Sequence, residues 1–312
     1  ISSSNPDSKE HNRIKSNYEL LKKKLDEYIS PEPTSSKKVE KISLLRDTLK
    51  KLKVIEIEIE SDSEAYEIFE RVNNYGVDLS LSDLLKNHIL KNTRNTDQAS
   101  EKWLSIENNI QDCNSEMKKF IRYHWLSKYS FETEKRLYNT IKSKVTNYED
   151  FLDELVSSSE IYKNITTGIQ SNFHDLKVNN KDISEKIFNI IFSSINMSIS
   201  QDSVFYLSLI RNIEARKLLV KPNNFLMFLE NFLFKYFAVS SLPANKVERL
   251  FSKYAIELEK TCNESITINQ IKQNTTRVFN TFKDDLNELL PPKEYFIEKF
   301  KDVKYAASQK NR

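Results

Sequence analysis

Two glycines in 312 residues, Gly76 and Gly168, set the first limit on this chain. Tight β-turns consume glycine, so such scarcity argues for long helices with few hairpins. Cysteine is nearly absent as well. Cys113 and Cys262 stand alone, without C-x-x-C spacing or a nearby histidine, which disfavours a zinc site and suits a reducing compartment. No apolar run approaches the ~20 residues of a membrane span. The polar opening ISSSNPDSKE is no signal peptide, so a cytoplasmic location without a membrane partner is expected. A net charge of +3 falls short of a dedicated nucleic-acid-binding domain but allows a local basic patch.

What remains is a soluble composition with a modest core. Hydrophobic residues make up 38% and charged residues 30%, and 18 Phe with 14 Tyr supply much of the bulk. Ile14, Tyr18, Leu21, Leu25 and Tyr28 recur at helical spacing. A loop with two prolines follows through Ser36, and Ile42 to Leu52 reads as a second helix. Val54 to Glu60 then changes period: Ile55, Ile57 and Ile59 alternate with Glu56, Glu58 and Glu60, the pattern of a strand. A lone strand leaves backbone groups unpaired, and no second strand of like quality follows, so its partners are expected upstream. From Trp103 onward the pattern is helical almost throughout. Asn224 to Phe237 is apolar nearly all round and is expected to be the central, most buried helix. No fixed-period repeat is found, which favours an irregular multi-helix bundle over a solenoid.

Between these regions lies a sharp corner. Ala65, Ile68, Phe69 and Val72 fall on one helical face, and Asn73-Asn74-Tyr75-Gly76 supplies a left-handed stop. Ser80 and Asp83 have the spacing of a capping box for the helix that carries Leu81, Leu84, Leu85 and Ile89. The stretch IFERVNNYGVDLSLSDLLKN resembles the F-E-R-x-N-x-x-G-x-x-L-x-x-x-D-L-x-K-N signature of the DUF262 family. Longer members of that family join this ParB-like domain to a DUF1524 nuclease of the HNH type. They are similar to GmrSD-like, modification-dependent restriction endonucleases and related phage-defence proteins. Phe120 to Lys128 and Leu289 to Phe296 resemble the same family through aromatic and apolar spacing.

The resemblance implies a mainly α chain with a small N-terminal α/β element, the remnant of a ParB-like domain. Residues 1–95 would be the end of that domain and 96–312 a helical region preceding the nuclease. The family's D-G-Q-Q-R motif is not found here, and none of His11, His88, His124 or His174 sits in an H-I-x-P context. The chain is therefore expected to be the connecting middle of a longer protein and not to cleave DNA alone. NTP and a divalent metal belong to the parent family, and no cofactor or metal site is expected within this chain.

Each candidate has a plainer rival. Arg71, Asn73, Asn74 and Gly76 could meet a nucleotide or phosphate at the corner, though turn chemistry alone accounts for Asn73 and Gly76. Ser80 and Asp83 read as a structural cap. His88 falls on the apolar stripe and is expected to be satisfied there. Glu56, Glu58 and Glu60 lack the upstream Asp and the E-x-K of a metal nuclease and read as a solvated strand face. Arg122 and His124 lie too close for an R-x4-6-H ribonuclease motif, and Trp103 and Trp125 are expected in the core. Lys22, Lys23, Lys24, Lys50, Lys51 and Lys53 are the candidates for DNA phosphate contact, against a rival reading as solvated surface. The expected partners are DNA, modified DNA included, and the flanking domains. The alternative from another class is a non-catalytic helical interaction module, with a homo-oligomer as its partner.

Overall fold

A computed structural model describes residues 9–53, 81–263 and 266–303. The chain divides into two compact units, residues 1–60 and 61–312.

In the first unit, α1 (Lys9–Ile29) and α2 (Ser35–Leu49) form a helical hairpin. The connecting loop ends two residues earlier than expected. Thr34 is extended and its hydroxyl accepts from the Lys37 amide, so the helix begins at Ser35. Near the turn, Lys41 pairs with Glu32 at 2.9 Å and lies over the Tyr28 ring. No described residue of this unit is buried. Ile14, Tyr18, Leu21, Val39, Leu44, Leu49 and Leu52 are all exposed. The expected strand, Val54 to Glu60, lies outside the described residues.

The second unit is helical, as the glycine count foretold. Its first helices are α3 (Leu81–Asn92), α4 (Thr96–Asp112), α5 (Met117–Lys128), α6 (Glu134–Lys144) and α7 (Tyr148–Thr167). A two-stranded hairpin follows, β1 (Lys177–Val178) and β2 (Lys181–Asp182), paired antiparallel with Lys177 opposite Asp182. Then come α8 (Ser184–Asn196), α9 (Ser203–Glu214) and α10 (Asn223–Leu233), which runs on into a π-helical turn, Phe234–Val239. α11 (Asn245–Asn263), α12 (Ile268–Leu289) and α13 (Lys293–Lys301) complete the series.

The central helix is α9, not residues 224–237. Ten side chains of α9 from Ser203 to Ile213 are buried, and it packs against α5, α7 and α11. α10 is instead one-sided: Phe225, Leu226, Leu229, Phe232 and Leu233 are buried, while Met227 and Phe234 face solvent. Apolarity all round misled here because the outward aromatics find partners at the periphery. Phe234 meets Phe300 of α13 edge-on, with centroids 6.3 Å apart.

A helix without a sequence expectation of its own, α12, completes the core. Thr267 and Gln270 form a full capping box at its start. Phe282 is wholly buried, with the rings of Phe205, Phe225, Phe251 and Tyr254 at 4.4–5.7 Å around it. The Tyr254 hydroxyl then donates to Asp285 at 2.5 Å, fastening α11 to α12.

Left-handed turns form here largely without glycine. Gly168 ends α7 at φ 58°, and a Cβ there would meet Ile195 Cδ1 at 2.6 Å. Asn114, Ser198, Arg216 and Ser241 take the same conformation after four other helical segments. Asn179 and Asn180, at φ 51° and 58°, make the tight turn of the hairpin as an Asn-Gly pair would.

Candidate functional site

The six lysines proposed for DNA contact are all exposed and all in the first unit. Lys22, Lys23 and Lys24 lie on α1, where Lys23 and Lys24 share Glu27 at 3.9 and 3.5 Å. Lys50, Lys51 and Lys53 follow the end of α2. At about 1.5 Å per residue, the first triplet is roughly 8 Å from the hairpin turn and Lys50 roughly 22 Å. The two groups thus occupy different levels of the hairpin. Lys37 and Lys38, at the start of α2, come closer to the level of the triplet. Residues 9–53 carry 13 Lys and Arg against 7 Asp and Glu, a surplus of +6 beside +3 for the whole chain.

The corner itself lies outside the described residues. That holds for Arg71, Asn73, Asn74, Gly76 and Ser80. Asp83 is described and stands in the first turn of α3, where a carboxylate favours the helix dipole. His88 accepts or donates one bond to the Tyr148 hydroxyl at 2.8 Å and packs edge-on against the Tyr148 ring, in keeping with a satisfied histidine.

A polar network in the middle of the second unit has no counterpart among the sequence candidates. Arg211 of α9 donates to Ser127 on α5 at 3.1 Å, to Ser158 on α7 at 3.2 Å and to Glu259 on α11 at 3.2 Å. The same Glu259 oxygen accepts from the Asn212 amide at 2.8 Å. Four helices are tied through one ion pair. Its charges are compensated by hydrogen bonds, as burial demands.

His124 extends this network. Ser158 Oγ accepts from Arg211, so its single proton is available to His124 Nδ1 at 2.9 Å, which assigns the imidazole proton to Nε2. Nε2 is buried without a hydrogen-bond partner, and the imidazole packs against the rings of Tyr129 and Phe151, with centroids 6.0 and 5.7 Å away. Burial first, then the charges of Arg211 and Lys128, hold its pKa well below the usual histidine value. The side chain is neutral and sealed from water. Arg122 turns away from it to grip Glu248 bidentately at 2.7 and 2.8 Å. The two residues therefore share no ribonuclease chemistry. Trp103 and Trp125 are core residues whose indole N–H groups donate to Glu107 and Ser130.

Two clefts open on the second unit. One, of about 330 Å³, sits where the N-termini of α4 and α7 meet, but Glu149 and the Lys102–Asp153 pair neutralise it. The other, of about 850 Å³, lies beside the β1–β2 hairpin. Among the described residues no three His, Cys, Asp or Glu side chains come together in a set that could hold a metal. No described helix is long and apolar enough to cross a membrane.

Fold and site together define a mainly α, multi-helix protein with a surplus of positive charge in one exposed helical hairpin. Residues 2–90, which contain α1, α2 and most of α3, match the family model for the GmrSD restriction endonuclease, N-terminal domain. The match supports a GmrSD-like restriction endonuclease family. No curated protein matches the chain, and no solved structure does.

Proposed function

We propose that this chain is the central helical and connecting region of a nucleotide-regulated, DUF262/DUF1524-type DNA restriction endonuclease that acts in phage defence. On this reading residues 1–95 end a ParB-like domain and 96–312 form a helical body between it and an HNH nuclease. The chain binds and positions DNA, and cleavage belongs to the nuclease. The observation that carries the reading is the basic hairpin, a +6 segment lying inside the residues that match the restriction-enzyme model. Exposed lysines on flexible stems suit a phosphate backbone, whose affinity for them is independent of base sequence. Arg71, Asn73, Asn74 and Gly76 remain the proposed nucleotide-contacting corner.

A gel-shift series with modified and unmodified duplexes over a salt range tests this. Binding should weaken steeply with salt, and Lys22→Glu/Lys23→Glu/Lys24→Glu should weaken it further. A chain that fails to shift either duplex at low salt sinks the reading. The second reading, a self-associating interaction module, is favoured by the apolar side chains left exposed on α1 and α2. Light scattering decides it: a concentration-independent monomer rules that module out.

A further inference from the structure

Of the described α-helices of the second unit, only α13 buries no residue. It starts after Pro291-Pro292 and meets the π-helical turn through Phe300, whose ring lies edge-on to Phe234 with centroids 6.3 Å apart. Phe296 stacks on Phe300 at 5.7 Å within the helix. Ile297 is nevertheless 42% exposed and Phe300 50%, and Phe234 and Val303 are exposed as well. Ile297, Phe300 and Val303 follow one another at intervals of three, so the apolar side chains form one strip along the helix that Phe234 extends onto the turn. A contiguous apolar strip of this kind marks an interaction surface more often than a single exposed leucine does.

The charges around the strip select its partner. Residues 293–302 hold Lys293, Lys299 and Lys301 against Glu294, Glu298 and Asp302, three of each sign. A polyanion therefore gains little here, in contrast to the α1–α2 hairpin. Glu294, Ile297 and Lys301 stand at i, i+3 and i+7, a single row on one face. At about 1.5 Å per residue the acid and the base are roughly 10 Å apart, with the isoleucine between them. A row that reads acid, apolar, base is complementary to its own reverse. Among the described residues neither Glu294 nor Lys301 is in an ion pair, and both are exposed. The helix dipole also favours an acid first and a base last. It gives no reason for an exposed isoleucine between the two.

We propose that α13 is a self-association surface on which two copies of this chain pair antiparallel. Ile297 meets its own counterpart at the two-fold axis, and Glu294 of each copy meets Lys301 of the other. Such an isologous contact closes at two copies, because each surface is used up by the pairing. One short helix with its flanking Phe234 and Val303 presents less than the roughly 800 Å² per partner of a standard interface. The dimer is therefore weak, forming in the micromolar range and above. It stands apart from the DNA reading and uses a different surface from the apolar side chains of α1 and α2.

Sedimentation velocity on the whole chain, from low micromolar to the highest soluble concentration, tests the surface. The mass should rise from one chain toward two. Ile297→Lys sets two ammonium groups against each other at the axis and should leave only monomer. Glu294→Lys and Lys301→Glu should each weaken association roughly five- to tenfold, since symmetry turns one substitution into two lost pairs. Glu294→Lys/Lys301→Glu restores both pairs with their signs exchanged and should return to within about threefold of the parent. Circular dichroism should be alike in all of them, because every altered side chain is exposed. A parent that stays monomeric throughout overturns the surface. A dimer that Leu21→Ala dissolves and Ile297→Lys leaves intact belongs on α1 and overturns it too. A double variant no better than the singles would sink the antiparallel pairing.

Discussion

Leu286 of α12 is wholly buried, whereas Leu21 of α1 is 69% exposed, and the contrast extends to the two units that hold them. The second unit encloses a continuous core from Leu85 to Leu286 and threads it with a satisfied polar network. The described residues of the first unit include no buried side chain and carry a surplus of +6, against +3 for the whole chain. Helices of this length are marginal in water without a packed face. The described core lies in the second unit, and the described helices of the first leave charged and apolar side chains exposed. Substitutions should therefore act on different observables in the two units.

The largest effect belongs to the buried pair. Glu259→Ala leaves Arg211 charged and unmatched among α5, α7, α9 and α11, and should cost about 3–5 kcal/mol. Urea denaturation followed by helical signal reads this directly. Replacing both partners, as Arg211→Met/Glu259→Leu, should recover most of the loss because neither charge is then stranded. A single variant within 1 kcal/mol of the parent, roughly the median for surface pairs, would show that the network is not what orders these helices.

Next is Asp202, wholly buried at the start of α9 with Oδ2 lacking a partner. Burial raises its pKa from 3.8 to about 6, with the nearby Ser194 and Tyr206 hydroxyls acting in the opposite direction. The folded state thus binds this proton more tightly than the unfolded chain. The resulting stability is complete below pH about 4 and is lost as pH rises through about 6. Asp202→Asn mimics the protonated form. Its advantage over the parent should grow by about 2–3 kcal/mol between those limits, at about 1.4 kcal/mol per pH unit. A flat difference between the two proteins across that window would place the carboxyl in contact with water.

How much of this was legible follows from which rules act locally. Helix existence, the weak demand for glycine and the short helix after Pro291-Pro292 all follow from neighbours in sequence. The same holds for the core placement of Trp103 and Trp125. The Asn179-Asn180 hairpin was legible in principle, since paired asparagines accept the left-handed backbone, but its strands are two residues each and leave no alternation to detect. The Thr267–Gln270 capping box likewise signals α12 in plain sequence. Arg211 and Glu259 are different. They sit 48 positions apart in a chain where nearly a third of residues are charged, so nothing local marks them as partners. The choice of residues 224–237 as centre failed for a related reason: apolarity measures what a helix can bury, and only packing decides which face is covered.

A smaller effect tests the economy in glycine. Ser198 and Ser241 hold left-handed positions at φ 56° and 49°, where backbone bonds from Ile199 to the Ser194 carbonyl and from Leu242 to the Tyr236 carbonyl close the preceding helical segments. Serine pays for its Cβ there, while glycine loses more freedom on folding. Ser198→Gly and Ser241→Gly should each stabilise the second unit by about 0.5–1 kcal/mol. Thermal melts would register this as a rise of a few degrees in Tm. Gly168→Ala should move the opposite way, since it adds both a left-handed Cβ and the 2.6 Å approach to Ile195.

The smallest change should come from Leu21→Ala. An exposed leucine contributes little to folding, so the expected cost is below about 0.5 kcal/mol for the isolated chain. The measurement is sharper when repeated at several protein concentrations. If a second copy covers the α1 face, the cost rises with concentration, because association stabilises the folded state by mass action. A small, concentration-independent cost is the outcome expected of a solvated, charged hairpin whose α1 face no second copy covers.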